Sequence, residues 1–185
     1  MLMIDLFSGT GSASQPFKDQ GWKVYRYDID PLGPDAIFTD LNHEMFILQI
    51  INAWKGLNVD LLWASPPCTE YSYANKKTND PLFVPNTLLW HNTMRIIEAV
   101  RPKNFIIENV QGAQRTWGPA VQNWGSYYFW GVFPKFSVPD KIKAKLLRQK
   151  SYDNNKKLRA KECATIPYTI GKHLERAISL QERFK

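Results

Sequence analysis

The stretch "MLMIDLFSGTGSASQPFKDQGWKVYRYDID", residues 1–30, decides the fold. Its opening apolar run ends in an acid and small residues at "DLFSG", a segment of short-helix length follows and ends at Gly21, and Val24, Tyr25 and Tyr27 then lead to Asp28 and Asp30. A short apolar run that breaks into small and polar residues reads as a buried strand entering a loop. The order strand, helix, strand begins a crossover unit.

The pattern continues outward from there. "AIFTDLN" reads as a third strand, "EMFILQIINAW" as a helix with apolar residues at helical spacing, and "VDLLWASPP" as the next strand. "NTLLWHNTMRIIEAVRP" is the clearest helix, with Leu88, Leu89, Met94, Ile96, Ile97 and Val100 expected on one side and Pro102 as its stop. "NFIIENV" is an apolar strand ending in charge. Strands and helices alternating to residue 110 predict an α/β fold, a mostly parallel twisted sheet with helices on both faces.

In such a sheet, ligands bind outside the carboxyl ends of the strands. That rim would collect Asp5, Ser8, Gly9 and Gly11 from the first strand, Asp28 and Asp30 from the second and Asp40 from the third. Cys68 would come from the fourth, and Glu108 with Asn109 from the fifth. One strand ending in an acid is ordinary loop solvation; the same ending on successive strands points to a site. The glycine-rich turn lacks the GxGxxG and GxxxxGK[ST] patterns, and Asp28 suits the hydroxyls of an unphosphorylated ribose, so an adenosine without a polyphosphate fits best.

Composition bounds the remaining possibilities. A chain of 185 residues fits one domain, 1–185, large enough to bury about 70% of its unfolded surface. Its two cysteines, Cys68 and Cys163, without clustered histidines, argue against a disulfide framework and a structural zinc site, and point to a reducing cytoplasm. The N-terminus does not read as a secretory signal, and no apolar run approaches the roughly 20 residues of a membrane span. The net charge of +7 is uneven: residues 1–134 carry 10 Lys/Arg against 12 Asp/Glu, residues 135–185 carry 14 against 5. A basic segment at 135–165 fits either a polyanion partner or a solvated lysine-rich face.

"SPPCTEYS" (65–72) holds its thiol stiffly, because Pro66 and Pro67 each fix φ near −65°. Such rigidity suits a nucleophile presented from a strand-to-helix loop. A lone cysteine is also commonly a small buried hydrophobe, but two prolines before it and polar residues after it argue against a packed strand.

These motifs, taken in order, resemble the cytosine-C5 DNA methyltransferases, in the short form found in some phage and prophage genomes. "DLFSGTGS" is similar to the family's methyl-donor loop, "YDID" to its ribose-binding acid, "TDL" to its adenine-contacting acid, "PPCTEYS" to its nucleophile loop and "ENV" to the strand end that holds the target base. The segment after "ENV" and the closing "ECATIPYTIGKHLERAI" also resemble short members, the latter as a helix returning to the donor pocket. The resemblance implies a Rossmann-like S-adenosylmethionine-dependent methyltransferase fold in a bacterial or archaeal cytoplasm. It implies that Asp5, Phe7, Ser8, Gly9 and Gly11 line the donor's methionine end, Asp28 its ribose and Asp40 the adenine amine, with Ile29 on the adenine face and Pro66 close to both donor and target base. It further implies Cys68 as nucleophile with Pro67 beside it, Glu108 as a protonated carboxyl at cytosine N3, Asn109 as an orienting group, and Ser72 and Arg115 on the substrate side. No metal is implied.

The departures are equally specific. About fifty residues separate "ENV" from "LRAKECATIP", too few for a separate target-recognition domain. The lysine-rich run 141–161 is expected to track phosphates instead, with a salt slope of roughly −4 to −5 on duplex DNA if four to six are neutralised. The aromatic run "WGSYYFWGVF" reads as a strand with one buried face, the alternative being a base-stacking platform. DNA, double-stranded before single-stranded, is the expected partner, with a second protein or a second copy able to supply recognition. The alternatives are a methyltransferase subunit acting on RNA or single strands, and a catalytically silent binding module.

Overall fold

Uninterrupted apolar runs such as "LLWA" can only be strands covered on both faces, and the computed structural model, which describes residues 1–80, 82–138 and 165–183, builds three layers from them. In chain order the elements are β1 (Leu2–Leu6), α1 (Gln15–Asp19), β2 (Lys23–Asp28), β3 (Ala36–Phe38), α2 (Glu44–Trp54) and β4 (Leu61–Ala64). They are followed by α3 (Leu88–Val100), β5 (Asn104–Asn109), α4 (Gln114–Trp117), β6 (Gln122–Trp124), β7 (Tyr127–Val132) and α5 (Tyr168–Arg183). The strands form one seven-stranded sheet in the order β3-β2-β1-β4-β5-β7-β6. Every pairing from β3 to β5 is parallel, and β7 runs antiparallel to both its neighbours.

Alternation along each strand divides the core. Ile4, Leu6, Leu62, Ala64 and Ile107 meet α2 and α3 through Ile47, Ile50, Ile96 and Val100. Met3, Leu61, Trp63, Ile106 and Phe129 meet α1 and α5 through Phe17, Ile170, Leu174 and Ile178. Chain order turns back between β1 and β4, so the crevice of the sheet opens at the carboxyl ends of those two strands.

Local detail departs from expectation in four places. The third strand is three residues long, and Asp40 stands in the turn beyond it, where Thr39 N–H donates to the Asp28 carbonyl. Leu88 is 44% exposed, because it opens α3 instead of facing the core. α3 ends on Arg101, which takes the left-handed C-cap conformation at φ 53° just before Pro102. The aromatic run forms the β6–β7 hairpin, the expected sheet strand, but with Phe129 buried in one core cluster and Trp130 in the other, so both faces are covered and the stacking alternative falls away. The expected phosphate-tracking run and Cys163 lie outside the described residues. No helix among the described residues is long and apolar enough to cross a membrane.

Candidate active site

The loop after β1 is built from left-handed backbone: Phe7, Gly9 and Gly11 have φ of 59°, 48° and 77°. For Phe7 this is an uncommon state, of the kind concentrated at ligand-binding turns. The loop closes on itself, Gly11 N–H donating to the Ser8 carbonyl at 2.7 Å. Its side chains are less completely paired, since Asp5 Oδ2 and Ser8 Oγ are buried without a hydrogen-bond partner. Buried polar atoms are nearly always satisfied, so these two mark a place where a polar ligand group belongs. Burial pushes the Asp5 carboxyl up to about 7, with the Ser14 hydroxyl and the Arg26 charge pulling the other way.

Asp28 ends β2 beside that loop. Its Oδ2 accepts from Gly9 N–H at 2.7 Å and its Oδ1 from Asp30 N–H at 2.8 Å. Each oxygen keeps a lone pair for a hydroxyl. Ile29, the next residue, is 57% exposed, so it is not a core residue but an apolar wall on the rim. Asp40 accepts from the Asn42 backbone N–H at 2.9 Å, which holds its carboxyl below the usual carboxylate range, and His43 Nε2 lies 3.4 Å away. The segment leading into the last helix reaches this half too, because Ile166 N–H donates to Ser12 Oγ at 3.0 Å.

The other half stands on β4 and β5. Ala64 pairs with Ile107 in register, so the chain continuing from β4 through Ser65, Pro66, Pro67 and Cys68 leaves the sheet beside Glu108 and Asn109. Pro66 is buried, whereas Pro67 and Cys68 are exposed, which settles against a thiol packed in the core. The Cys68 carbonyl accepts from the backbone N–H groups of Tyr71 and Ser72, bending the chain into a turn directly after the thiol.

Asn109 ties the two strand ends together. Its side chain, 1% exposed, donates from Nδ2 to the Pro66 carbonyl at 2.9 Å and accepts the Val110 N–H at Oδ1. Glu108, one residue earlier, is pushed up to about 7 by burial, opposed by a hydrogen bond with Ser65. A carboxyl with that pKa holds its proton near neutrality for much of the time, so it can donate as well as accept.

Two further fixings were not expected from the sequence. The backbone after "ENV" passes so close to the turn after Cys68 that a Cβ on Gly112 would lie 1.9 Å from the Tyr71 carbonyl oxygen. Behind the turn, Trp90 and Trp117 stack at 4.2 Å, Trp117 meets Tyr71 edge-on at 4.7 Å, and these rings with Pro66 and Pro67 line a cavity of about 160 Å³. Aromatic residues in a helix read only as core, which is why the sequence does not reveal this wall. Ser72 accepts the Ala74 N–H, and Arg115, exposed on α4, lies 4.9 Å over the ring of Tyr73, at the edge of the same turn.

A mostly parallel sheet with a reversal point, a glycine turn carrying unsatisfied polar atoms on one side of it, and an exposed thiol and a protonatable carboxyl on the loops and strand ends of the other, define a Rossmann-like α/β fold with a site at its crevice. Residues 1–125 match the C-5 cytosine-specific DNA methylase family, and the chain belongs to it. It is 26% identical over 148 residues to a probable DNA (cytosine-5)-methyltransferase of Frog virus 3, covering 71% of this chain and 66% of that protein. It is 32% identical over 117 residues to the type II methyltransferase M1.HphI of Haemophilus parahaemolyticus, covering 58% and 32%. The Entamoeba histolytica methyltransferase EhMeth superposes with a TM-score of 0.47 at 18% identity, covering 75% of this chain and 55% of that one. The chain thus spans less than two thirds of the length of each of these relatives.

Proposed function

We propose that the protein methylates C5 of cytosine in DNA, with S-adenosylmethionine as donor and Cys68 as covalent nucleophile. The supporting observation is the Asn109 bridge, which holds the Pro66 carbonyl, and with it the loop bearing Cys68, against the strand end that bears Glu108. The donor half fits S-adenosylmethionine. The unsatisfied Asp5 and Ser8 atoms would meet its polar amino-acid end beside Phe7, Gly9 and Gly11; Asp28 would accept the ribose hydroxyls; Asp40 and Ile29 would receive the adenine, and Pro66 would lie between the donor and the target base. Bound there, it supplies an electrophilic methyl group.

Cytosine C5 is a poor nucleophile until C6 is saturated. Cys68 Sγ adds to C6, the C5=C6 electron pair moves into the ring, and Glu108 gives its proton to N3 as charge arrives there. C5 of the enamine so formed would take the methyl group, the S–CH3 bond breaking with its electron pair left on sulfur, so that the donor leaves as S-adenosylhomocysteine. Loss of the C5 proton to water, elimination of Sγ from C6 and return of the N3 proton to Glu108 restore the ring. Asn109 and Pro67 keep the loop in place through these steps, and Ser72 and Arg115 face the nucleic acid.

Basic residues 141–161 would hold the phosphates. Duplex DNA is the expected form of the substrate, with the target base flipped out of the stack.

The deciding experiment uses a duplex oligonucleotide with 5-fluorocytosine at target positions. Fluorine cannot leave as a proton, so the Sγ–C6 bond persists and intact mass should show a covalent complex whose modified peptide contains Cys68. Cys68→Ser should form no complex and transfer no methyl groups, while binding S-adenosylhomocysteine within about twofold of the parent. Methyl transfer persisting in Cys68→Ser would remove the nucleophile assignment. Parallel reactions with single-stranded DNA and RNA test the substrate form.

A further inference from the structure

β2 carries a buried charge in the middle of the sheet. Arg26 is 4% exposed, pairs in register with Asp5 on β1 and with Ala36 on β3, and lies under the glycine turn. A buried guanidinium is costly to retain unless its donors are used, and two of the three nitrogens are. Nη2 donates to the Gly9 carbonyl at 2.7 Å and Nη1 to Asp35 Oδ1 at 3.0 Å. Asp35 also pairs with Lys18 on α1. Nε is buried without a partner.

Gly11 shows how closely the turn is moulded on this side chain. A Cβ there would lie 2.6 Å from Arg26 Cζ and 2.8 Å from Nε, so the space a side chain would take is filled by the guanidinium. The neighbouring contacts extend the same device: Gly9, whose carbonyl Arg26 holds, gives its N–H to Asp28. One side chain thereby links the 29–35 segment, the glycine turn and the acid at the end of β2.

We propose that Arg26 is a positioning residue for the donor loop: its guanidinium fills the space beneath Gly11 and, anchored by Asp35, fixes the Gly9 carbonyl so that the loop keeps its binding shape before a ligand arrives. It acts through the loop and does not touch the reacting atoms. The assignment of a ligand to that loop rests on the methyltransferase reading; the mechanical role of Arg26 does not.

The test compares Arg26→Gln, Arg26→Lys and Asp35→Ala in the full chain by backbone amide exchange, calorimetry with S-adenosylhomocysteine and turnover on DNA. In Arg26→Gln, exchange over residues 8–12 should rise about tenfold while β4 and β5 keep their protection. S-adenosylhomocysteine should bind about tenfold more weakly, with turnover at saturating donor within about twofold. Arg26→Lys should fall between, because an ammonium reaches one of the two partners but not both. Asp35→Ala, on an exposed loop, carries the test if Arg26→Gln does not fold, with exchange and binding shifted about threefold. Unchanged exchange and affinity in the folded variants would overturn the proposal, as would protection lost equally in β4 and β5. Faster loop exchange in a protein whose parent form binds no S-adenosylhomocysteine would leave Arg26 in this role and remove the donor assignment instead.

Discussion

The two halves of the rim are held by different forces. Between β1 and β3 the polar groups bond to one another: Asp28 to Gly9 and Asp30, Asp40 to Asn42, Arg26 to Gly9 and Asp35. Between β4 and β5 the fixing comes mainly from packing, with two side-chain bonds, Asn109 on Pro66 and Glu108 with Ser65, and Tyr71, Trp90 and Trp117 behind them. Past Cys68 the chain is open, and Leu82 and Val84 are 87% and 84% exposed. A small ligand of constant shape can be met by a preorganised polar cradle, because ordering it beforehand removes that cost from binding. A base delivered by a long polymer needs a rigid thiol and acid with room in front of them. If this division holds, changes in one half should alter donor affinity and changes in the other turnover.

Glu108→Gln is the largest test of the second half short of removing the thiol. The amide keeps the shape but cannot deliver a proton, so turnover should drop about 10²–10³-fold with S-adenosylhomocysteine affinity unchanged. The parent protein should lose acid-limited turnover as pH rises through about 7, where Glu108 ionises, and the variant should lack that limb. Stability follows with a definite sign. The folded pKa lies above the ordinary 4.5, so the folded state takes up the proton; that contribution is complete below 4.5 and gone once pH has passed about 7. Glu108→Gln should therefore gain stability over the parent at pH 8 relative to pH 5, by about 1–3 kcal/mol, read as a higher melting temperature. A gain equal at both pH values would mean that the carboxyl is not desolvated.

Asn109→Ala should have the next largest effect. Removing the amide leaves the Pro66 carbonyl and the Val110 N–H without their partner in a buried setting, at a cost of about 1–3 kcal/mol. The Cys68 loop is then free to drift from Glu108, and the rate of adduct formation on 5-fluorocytosine DNA should fall about 10–100-fold. Donor affinity should stay within about twofold. Equal losses in adduct rate and donor affinity would show that the halves are one unit and end the comparison.

How far the sequence anticipates this arrangement depends on the range of the interaction. α2 is legible to the residue, Glu44–Trp54, since its apolar spacing and its burial against the sheet say the same thing. The strand ends are legible as well, because each apolar run changes abruptly to acid, glycine or proline at the rim. β3 is read too long because a three-residue edge strand has little pattern of its own. Arg26, Gly112 and Trp117 escape notice for another reason. Their importance lies in contacts to segments distant in sequence: Arg26 with Gly9 and Asp35, Gly112 with Tyr71, Trp117 with Trp90. A charged residue within an otherwise apolar strand was the one signal available for Arg26, since burying it requires partners elsewhere.

The smallest effect is expected at Ile29, and it tests the donor half from its surface. The side chain is 57% exposed, directly after Asp28 and outside the core. Ile29→Ala should therefore leave stability within about 0.5 kcal/mol, as surface changes usually do. An adenine laid against this wall would cover the remaining apolar area, and truncation to alanine would forfeit about 1 kcal/mol of that burial, close to a fivefold weaker S-adenosylhomocysteine complex. Turnover at saturating donor should not change, because nothing at the thiol or the acid has moved. Should Ile29→Ala instead slow turnover without touching donor affinity, the exposed wall would belong to the nucleic acid, and the boundary between the two halves would run through β2 and not between β1 and β4.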